Sequence, residues 1–306
     1  MRAPQETDGA AGGNNRKSLA MIVASMLIFG SIGVFRRFIP LSSPFLAFSR
    51  GLIGGLVILA FMKLKGAGAG GRPDLRQSLR LALTGAVIGA NWILLFEAYS
   101  HTTVAVATLC YYMQPTIVVL LSPLFFKERL TLRKAACAAV AIIGMVMVSG
   151  VIGSRELQGG NMRGVLLGLG AAVLYAVVVL MNKGIRGVDA YRKSVIQLLA
   201  AGMVMIPYLL LTGGFSRVEL HGSVLPLLLI VGIVHTGLAY LLYFGSMDGL
   251  RVQSIAILSY IDPVSALFFS ALFLKEPLGV PCIIGAVLII GSAIVSELWT
   301  EAPQLE

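Results

Sequence analysis

Charge is scarce in this sequence of 306 residues. Only 12% are Asp, Glu, Lys or Arg, against about 25% in soluble domains. With 57% hydrophobic residues and a mean hydropathy of +0.89, that scarcity excludes a soluble enzyme and a disordered chain. Cysteine is rare too. Cys110, Cys137 and Cys282 all lie in apolar stretches without CxxC spacing, so neither an extracellular disulfide scaffold nor a metal site is expected. Catalytic signatures are missing as well. There is no HExxH, no GxSxG, no second deep Asp to pair with Asp262, and no loop able to hold a nucleotide. No enzyme activity and no cofactor are therefore expected. Residues 1–17 are polar and Gly/Asn-rich, without the short apolar core and cleavage site of a signal peptide, and are expected to form a disordered tail.

What is abundant is apolar sequence in long blocks. A helix crosses a hydrocarbon core of about 30 Å with about 20 apolar residues. Ten stretches qualify: 18–35, 44–62, 80–99, 103–126, 134–152, 163–183, 192–212, 223–245, 251–274 and 279–298. The expectation is an all-α membrane protein with ten transmembrane helices. The longest connection, about 63–79, is rich in Lys, Arg and Gly and reads as a flexible linker.

The net charge of +10 would suggest a nucleic-acid partner in a soluble protein. Here Lys and Arg gather between the apolar blocks, and their sidedness sets orientation instead. With a cytoplasmic N-terminus, 17 of them fall in inner segments: Arg2, Arg16, Lys17, Lys63, Lys65, Arg72, Arg76, Arg80, Lys127, Arg129, Arg133, Lys134, Lys183, Arg186, Arg192, Lys193 and Arg251. Six fall outside: Arg36, Arg37, Arg155, Arg163, Arg217 and Lys275. Both termini are therefore expected in the cytoplasm.

Sliding the sequence by 148 residues lays 96–130 over 244–278 without a gap, and ten of those 35 positions are identical. They include Tyr112/Tyr260, Pro115/Pro263, Lys127/Lys275, Glu128/Glu276 and Leu130/Leu278. The chain thus reads as two repeats, 18–152 and 163–298, with a short cytoplasmic tail at 299–306. Five spans per repeat is an odd number, so the second repeat enters the membrane inverted. In transporters built this way the binding site lies near the midplane, between the halves.

Pro115 and Pro263 sit halfway along spans 4 and 9, where proline removes a donor and kinks a helix. Loosened backbone at that depth is tolerated inside protein or along a wet cavity, and cavity lining is the favoured reading. Gln114 and Asp262 precede the prolines, and Tyr112 and Tyr260 stand three residues ahead of them. Asp262 lies about 11 residues from either end of its span, roughly 16 Å deep. A carboxyl group there fits a proton-coupling acid or a ligand for a substrate ammonium, and equally a protonated group bonded to a neighbouring helix. His235 could share its proton, although a satisfied structural histidine is favoured. Asn91, Trp92, Tyr111 and Tyr175 are further mid-depth candidates for substrate binding, or else helix-packing residues. Arg50 could attract a carboxylate or phosphate; a bridge to Glu97 is the favoured reading. Small faces, among them Gly51, Gly54, Gly55, Gly144, Gly285, Gly291 and the Gly164–Gly168 GxxxG, suit close helix packing within a monomer or a homodimer.

Two five-span halves, each with a proline-containing helix, a [FL]-K-E-x-L corner and a small-residue helix, resemble the EamA family of the drug/metabolite transporter superfamily. The stretch NWILLFEAYSHTTVAVATLCYYMQP is similar to spans 3 and 4 of bacterial EamA exporters. The resemblance covers about residues 18–298. It implies spans 1–4 and 6–9 around a central cavity, spans 5 and 10 at the periphery, and transport of amino acids, related metabolites or drugs.

The resulting expectation is a secondary-active transporter in the bacterial cytoplasmic (inner) membrane, surrounded by lipid. It would export a small amphipathic metabolite such as an amino acid by alternating access. The rivals are a drug or nucleoside-type transporter of the same fold and, further off, a membrane-embedded enzyme, a channel or a scaffold.

Overall fold

A computed structural model describes residues 8–66, 71–126, 131–148, 159–185, 187–216, 218, 222–247, 250, 255 and 258–300. Among these the chain is helical, with no strand. The first half contains α1 (Asp8–Arg37), α2 (Ser43–Lys65), α3 (Leu75–His101), α4 (Val104–Tyr111), α5 (Gln114–Phe126) and α6 (Leu132–Val148). The second contains α7 (Gly159–Lys183), α8 (Ala190–Met203), α9 (Met205–Leu211) and α10 (Val224–Gly232). A π-helical turn, Ile233–Leu238, joins α10 to α11 (Ala239–Ser246), and α12 (Ile261–Phe273) and α13 (Val280–Thr300) follow.

Seven helical stretches among the described residues are long and apolar enough to cross a membrane, and α12 and α13 add two shorter apolar ones. The expected fifth and ninth spans run into residues outside the described set, as does the first K-E-x-L corner at 127–130. α1 begins at Asp8, ahead of the boundary taken from hydropathy. Hydropathy marks where apolar sequence begins, whereas an existing helix propagates into neighbouring residues without a new nucleus. Elsewhere the starts follow local chemistry. Asp74 and Gln77 form a reciprocal capping box at α3, and the Thr103 hydroxyl accepts the Val106 N–H at 3.2 Å to open α4.

Leu83, Leu166, Phe268 and Val287 are all more than half exposed. An outward apolar surface suits lipid, but it removes the hydrophobic drive for helices to associate with one another. Small residues and close backbone approach replace it. α6 crosses α13 where Gly144 meets Gly285, and a Cβ on Gly285 would lie 2.5 Å from the Gly144 carbonyl oxygen. Gly164 and Gly168 face Thr102 and Cys110 of the same chain. Gly285→Leu is expected to cost about 1–3 kcal/mol through overpacking. Gly291→Leu, at a position with nothing within 4 Å of an added Cβ, should be silent. Thermal unfolding in detergent measures both.

Around the centre, α1 lies against α11 and α12, while α7 lies against α3, α4 and α5. α2 packs on α8, α10 and the π-helical turn, and α3 packs on α8.

Candidate functional site

α4 ends at Tyr111, Tyr112 and Met113 form a turn, and α5 restarts at Gln114 with Pro115 in its first turn. The Met113 N–H bonds the Cys110 carbonyl at 3.1 Å, and the Ile117 N–H bonds the Met113 carbonyl at 3.0 Å. Ser259 and Tyr260 make the corresponding turn ahead of α12, where the Asp262 N–H bonds the Ser259 carbonyl at 3.2 Å and Pro263 again sits in the first turn. A kinked but continuous helix was expected at each proline; in both places a new helix begins instead. Proline is at home in a first turn, where its missing N–H has no intrahelical acceptor anyway. Asp262 consequently stands at a helix N-terminus, whose aligned peptide dipoles favour a carboxylate.

The two turns meet. The Tyr112 hydroxyl donates to Asp262 Oδ2 at 2.5 Å, and the Tyr112 and Tyr260 rings are 6.4 Å apart. Tyr111 stands edge-on to Tyr175, with centroids 5.6 Å apart. A cavity of about 140 Å³ is bordered by Arg50, Trp92, Tyr99, Thr108 and Tyr111. A larger one of about 610 Å³ reaches Asn182, Ser194, Gln197, Met247, Ser259 and Tyr260. Phe29, Tyr112, Gln114, Tyr175, Tyr240 and Asp262 border both. The larger cavity extends toward the end of the molecule where α7 and α11 finish and α8 begins. The smaller extends toward the opposite end, where α3 finishes and α2 and α4 begin.

Arg50 is 5% exposed. Its Nε donates to Thr236 Oγ1 at 3.1 Å, and its guanidinium lies 4.0 Å from the Trp92 ring centroid and 5.3 Å from that of Phe96. No described carboxylate forms an ion pair with it. The favoured bridge to Glu97 is corrected here: Glu97 accepts from Ser43 at 2.9 Å and lies 3.3 Å from the His101 ring. Arg50 is about two turns inside α2 and turned inward, while Glu97 stays near the mouth of α3. The π-helical turn supplies Arg50's partner. Thr236 reaches back five residues to the Val231 carbonyl at 3.1 Å, leaving its oxygen able to accept from Arg50.

Other expected site residues separate into two groups. Trp92, Tyr111, Tyr112, Gln114, Tyr175, Tyr260, Asp262, Arg50 and Pro115 border one or both cavities. The Gln114 Oε1 is buried there without a hydrogen-bond partner. Asn91, His235 and Pro263 border neither cavity. Asn91 is fully buried and donates to the Ala171 carbonyl at 2.6 Å, pinning α3 to α7. His235 pairs with the Ser31 hydroxyl at 3.0 Å, and its ring lies tilted 4.5 Å from that of Phe35, rather than forming a proton-sharing pair with Asp262. Asn91→Ala is expected to lower stability by about 1 kcal/mol, a typical intramembrane hydrogen bond, and to leave ligand affinity unchanged. Parallel melting and binding curves check it.

Sequence reasoning missed Phe29, Tyr99, Tyr240, Tyr243 and Gln197. A signal for Tyr240 existed, because the 148-residue slide carried upstream pairs it with Trp92. The same slide pairs Tyr111 with Ser259 and Gln114 with Asp262, all on the cavity walls.

Comparison with known proteins adds family evidence. A family model described as the EamA-like transporter family matches residues 16–150 and again 162–297. The uncharacterized transporter YxxF of Bacillus subtilis (strain 168) is 30% identical over 262 residues, 85% of this chain and 83% of its own. An uncharacterized transporter of Archaeoglobus fulgidus is 29% identical over 92% of this chain and 96% of its own. The protein PecM of Dickeya dadantii is 25% identical over 86% of each chain. A solved crystal structure superposes with a TM-score of 0.64 over 94% of this chain and 100% of its own. At 21% identity that likeness speaks for the fold alone.

Proposed function

Because the chain belongs to the EamA-like transporter family, we propose that it is a secondary-active exporter of a small amphipathic zwitterion such as an amino acid. The observation that carries this reading is one small cavity bordered by opposite charges. Arg50 has no carboxylate partner among the described residues, and Asp262 is held by Tyr112. A planar guanidinium matches a substrate carboxylate in a two-point fork. Asp262 matches the ammonium, and the rings of Trp92, Tyr111, Tyr175 and Tyr240 match the apolar body. A buried unpaired arginine is costly in a membrane, and a bound anion offsets that cost.

The moving parts in this reading are ten spans in two inverted repeats. Packing supports it. At an offset of 148, α1 corresponds to α7, α3 to α10–α11, and α4–α5 to α12. The contacts of α1 with α11 and α12 then match those of α7 with α3 and with α4–α5. The cavity lies between the halves, against discontinuous helices, where transporters of this kind bind their cargo. Rocking of the halves exposes it to one side and then the other. Asp262 holds either a proton or the substrate ammonium, so outward passage of substrate is tied to inward passage of protons. The excess of Lys and Arg on one side supports a cytoplasmic location for both termini. The larger cavity then lies toward the inside and the smaller one toward the outside.

The test is counterflow in liposomes. Purified protein is expected to accumulate labelled phenylalanine saturably, with a rate that follows an imposed pH gradient. N-acetylphenylalanine and phenylalaninamide, each lacking one charge, should compete poorly. Movement of cationic dyes without any amino acid flux would favour the drug-transporter reading, and non-saturating flux a channel.

A further inference from the structure

At the end toward which the smaller cavity extends, three segments meet on one carboxylate. Glu276, in the corner between α12 and α13, has an 11% exposed side chain. Its Oε1 lies 3.1 Å from Arg37 Nη2 at the end of α1. Its Oε2 accepts the Val104 N–H, the first of α4, at 2.9 Å, and the Ser270 hydroxyl at 2.5 Å. The same Arg37 Nη2 donates to the Thr102 carbonyl at 2.7 Å. Arg37 and Glu276 therefore clasp the α3–α4 turn from both sides, one through its carbonyl and the other through an N–H. Lys275, immediately before Glu276, has φ 56°. That left-handed conformation is uncommon for a residue with a Cβ, and held strain of this kind points to a role for what it positions. Here it turns the chain so that Glu276 faces back into the protein.

The clasp joins elements from both halves. α1 and the α3–α4 turn belong to the first, and the α12–α13 corner belongs to the second. It uses repeat-identical positions, since Glu276 matches Glu128 and Val104 matches Val252 in sequence. It lies at the end toward which the smaller cavity extends, and Gly33 brings α1 directly onto Val104. We infer that Glu276, with Arg37, is the latch that holds this face of the transporter shut and must let go of Val104 and Arg37 for the cavity to open there. The inference rests on the alternating-access reading above. Glu276 borders neither cavity, so it acts as a positioning residue and not as a substrate ligand. Its bonds suit a catch. The Glu276 carboxylate is held at once by Arg37, the Val104 N–H and the Ser270 hydroxyl, and Arg37, with a side chain already 35% exposed, hydrates readily once the faces part.

The experiment reads which side of the membrane reaches the cavity. Ile32→Cys, on the wall of the smaller cavity, serves as reporter in a background with Cys110, Cys137 and Cys282 replaced by serine. An impermeant methanethiosulfonate is applied separately to each face of sealed vesicles. Glu276→Gln and Arg37→Gln are expected to raise labelling severalfold from the face bearing residue 276 and to lower it from the other, with Glu276→Asp intermediate. In a second protein, Arg37→Cys with Glu276→Cys is bridged by a bifunctional methanethiosulfonate; the bridge should stop flux, and a reductant, which cleaves its disulfides, should restore it. The latch is overturned if Glu276→Gln lowers the melting temperature yet leaves labelling from both faces unchanged, or if the bridged protein transports at the full rate. Labelling that shifts as described in a protein without any amino acid flux supports the latch and defeats the zwitterion reading. The two failures are therefore distinguishable.

Discussion

Asp262→Asn is expected to flatten the pH dependence of transport while leaving the protein folded. Asparagine has the same shape, and its amide oxygen can still accept the Tyr112 hydroxyl that now bonds Oδ2. It can neither take up a proton nor pair with an ammonium. In the wild type both compete for one carboxylate, so KM for an amino acid rises as the pH of the loading side falls. In the variant KM is high at every pH. Truncating one partner of a buried charge pair costs about 2–5 kcal/mol, and each 1.4 kcal/mol or so is a factor of about ten in affinity. The expected rise in KM at neutral pH is therefore more than about tenfold. Counterflow at several pH values measures it, with Asn91→Ala as the comparison that keeps the wild-type profile. An unchanged profile in the Asp262 variant removes that residue from coupling.

Arg50→Gln is expected to lose binding without losing stability. Arg50 is 5% exposed, its Nε donates to Thr236, and no described carboxylate forms an ion pair with it. Burying a charge without a counter-ion costs folding free energy, so the neutral glutamine should melt at the same temperature or higher. Binding of phenylalanine should fall by about tenfold or more, from the loss of a charge-assisted fork worth about 2 kcal/mol. Phenylalaninamide, which has no carboxylate, should bind wild type and variant alike. That pairing makes a double-mutant cycle in which the ligand supplies the second change. Arg50→Lys should recover little, because an ammonium is a point charge and stacks poorly over Trp92. A stability loss matching the affinity loss would assign Arg50 to structure.

Much of the site was legible beforehand because it rests on features with strong chemical cause. Pro115 and Pro263 disturb the helix bonding of their spans, and polar side chains in apolar blocks are too costly to be incidental. Tyr112, Gln114, Tyr260 and Asp262 were found in this way, and they meet on the cavity walls. The π-helical turn at Ile233–Leu238 was not legible. No proline stands within it, and an extra residue per turn leaves no mark on hydropathy. Thr236 as the partner of Arg50 was therefore invisible. The Glu276 latch was half visible. The corner motif was noticed as evidence of duplication, but nothing in a linear pattern says that its carboxylate reaches Val104, 172 residues away.

The chain alone determined that the protein is helical, apolar on its outer faces and internally repeated. It also set where along its helix each polar residue lies. That position follows from a rise of about 1.5 Å per residue along an apolar block, and the count needs no partner. Only the tertiary structure decided direction around each helix axis. Arg50 turned toward Trp92 and away from Glu97, Asn91 turned into the α3–α7 seam, and His235 turned toward Ser31. In a soluble helix the polar face betrays that direction. In a bilayer the lipid-facing and protein-facing sides are both apolar, so no amphipathic pattern records it.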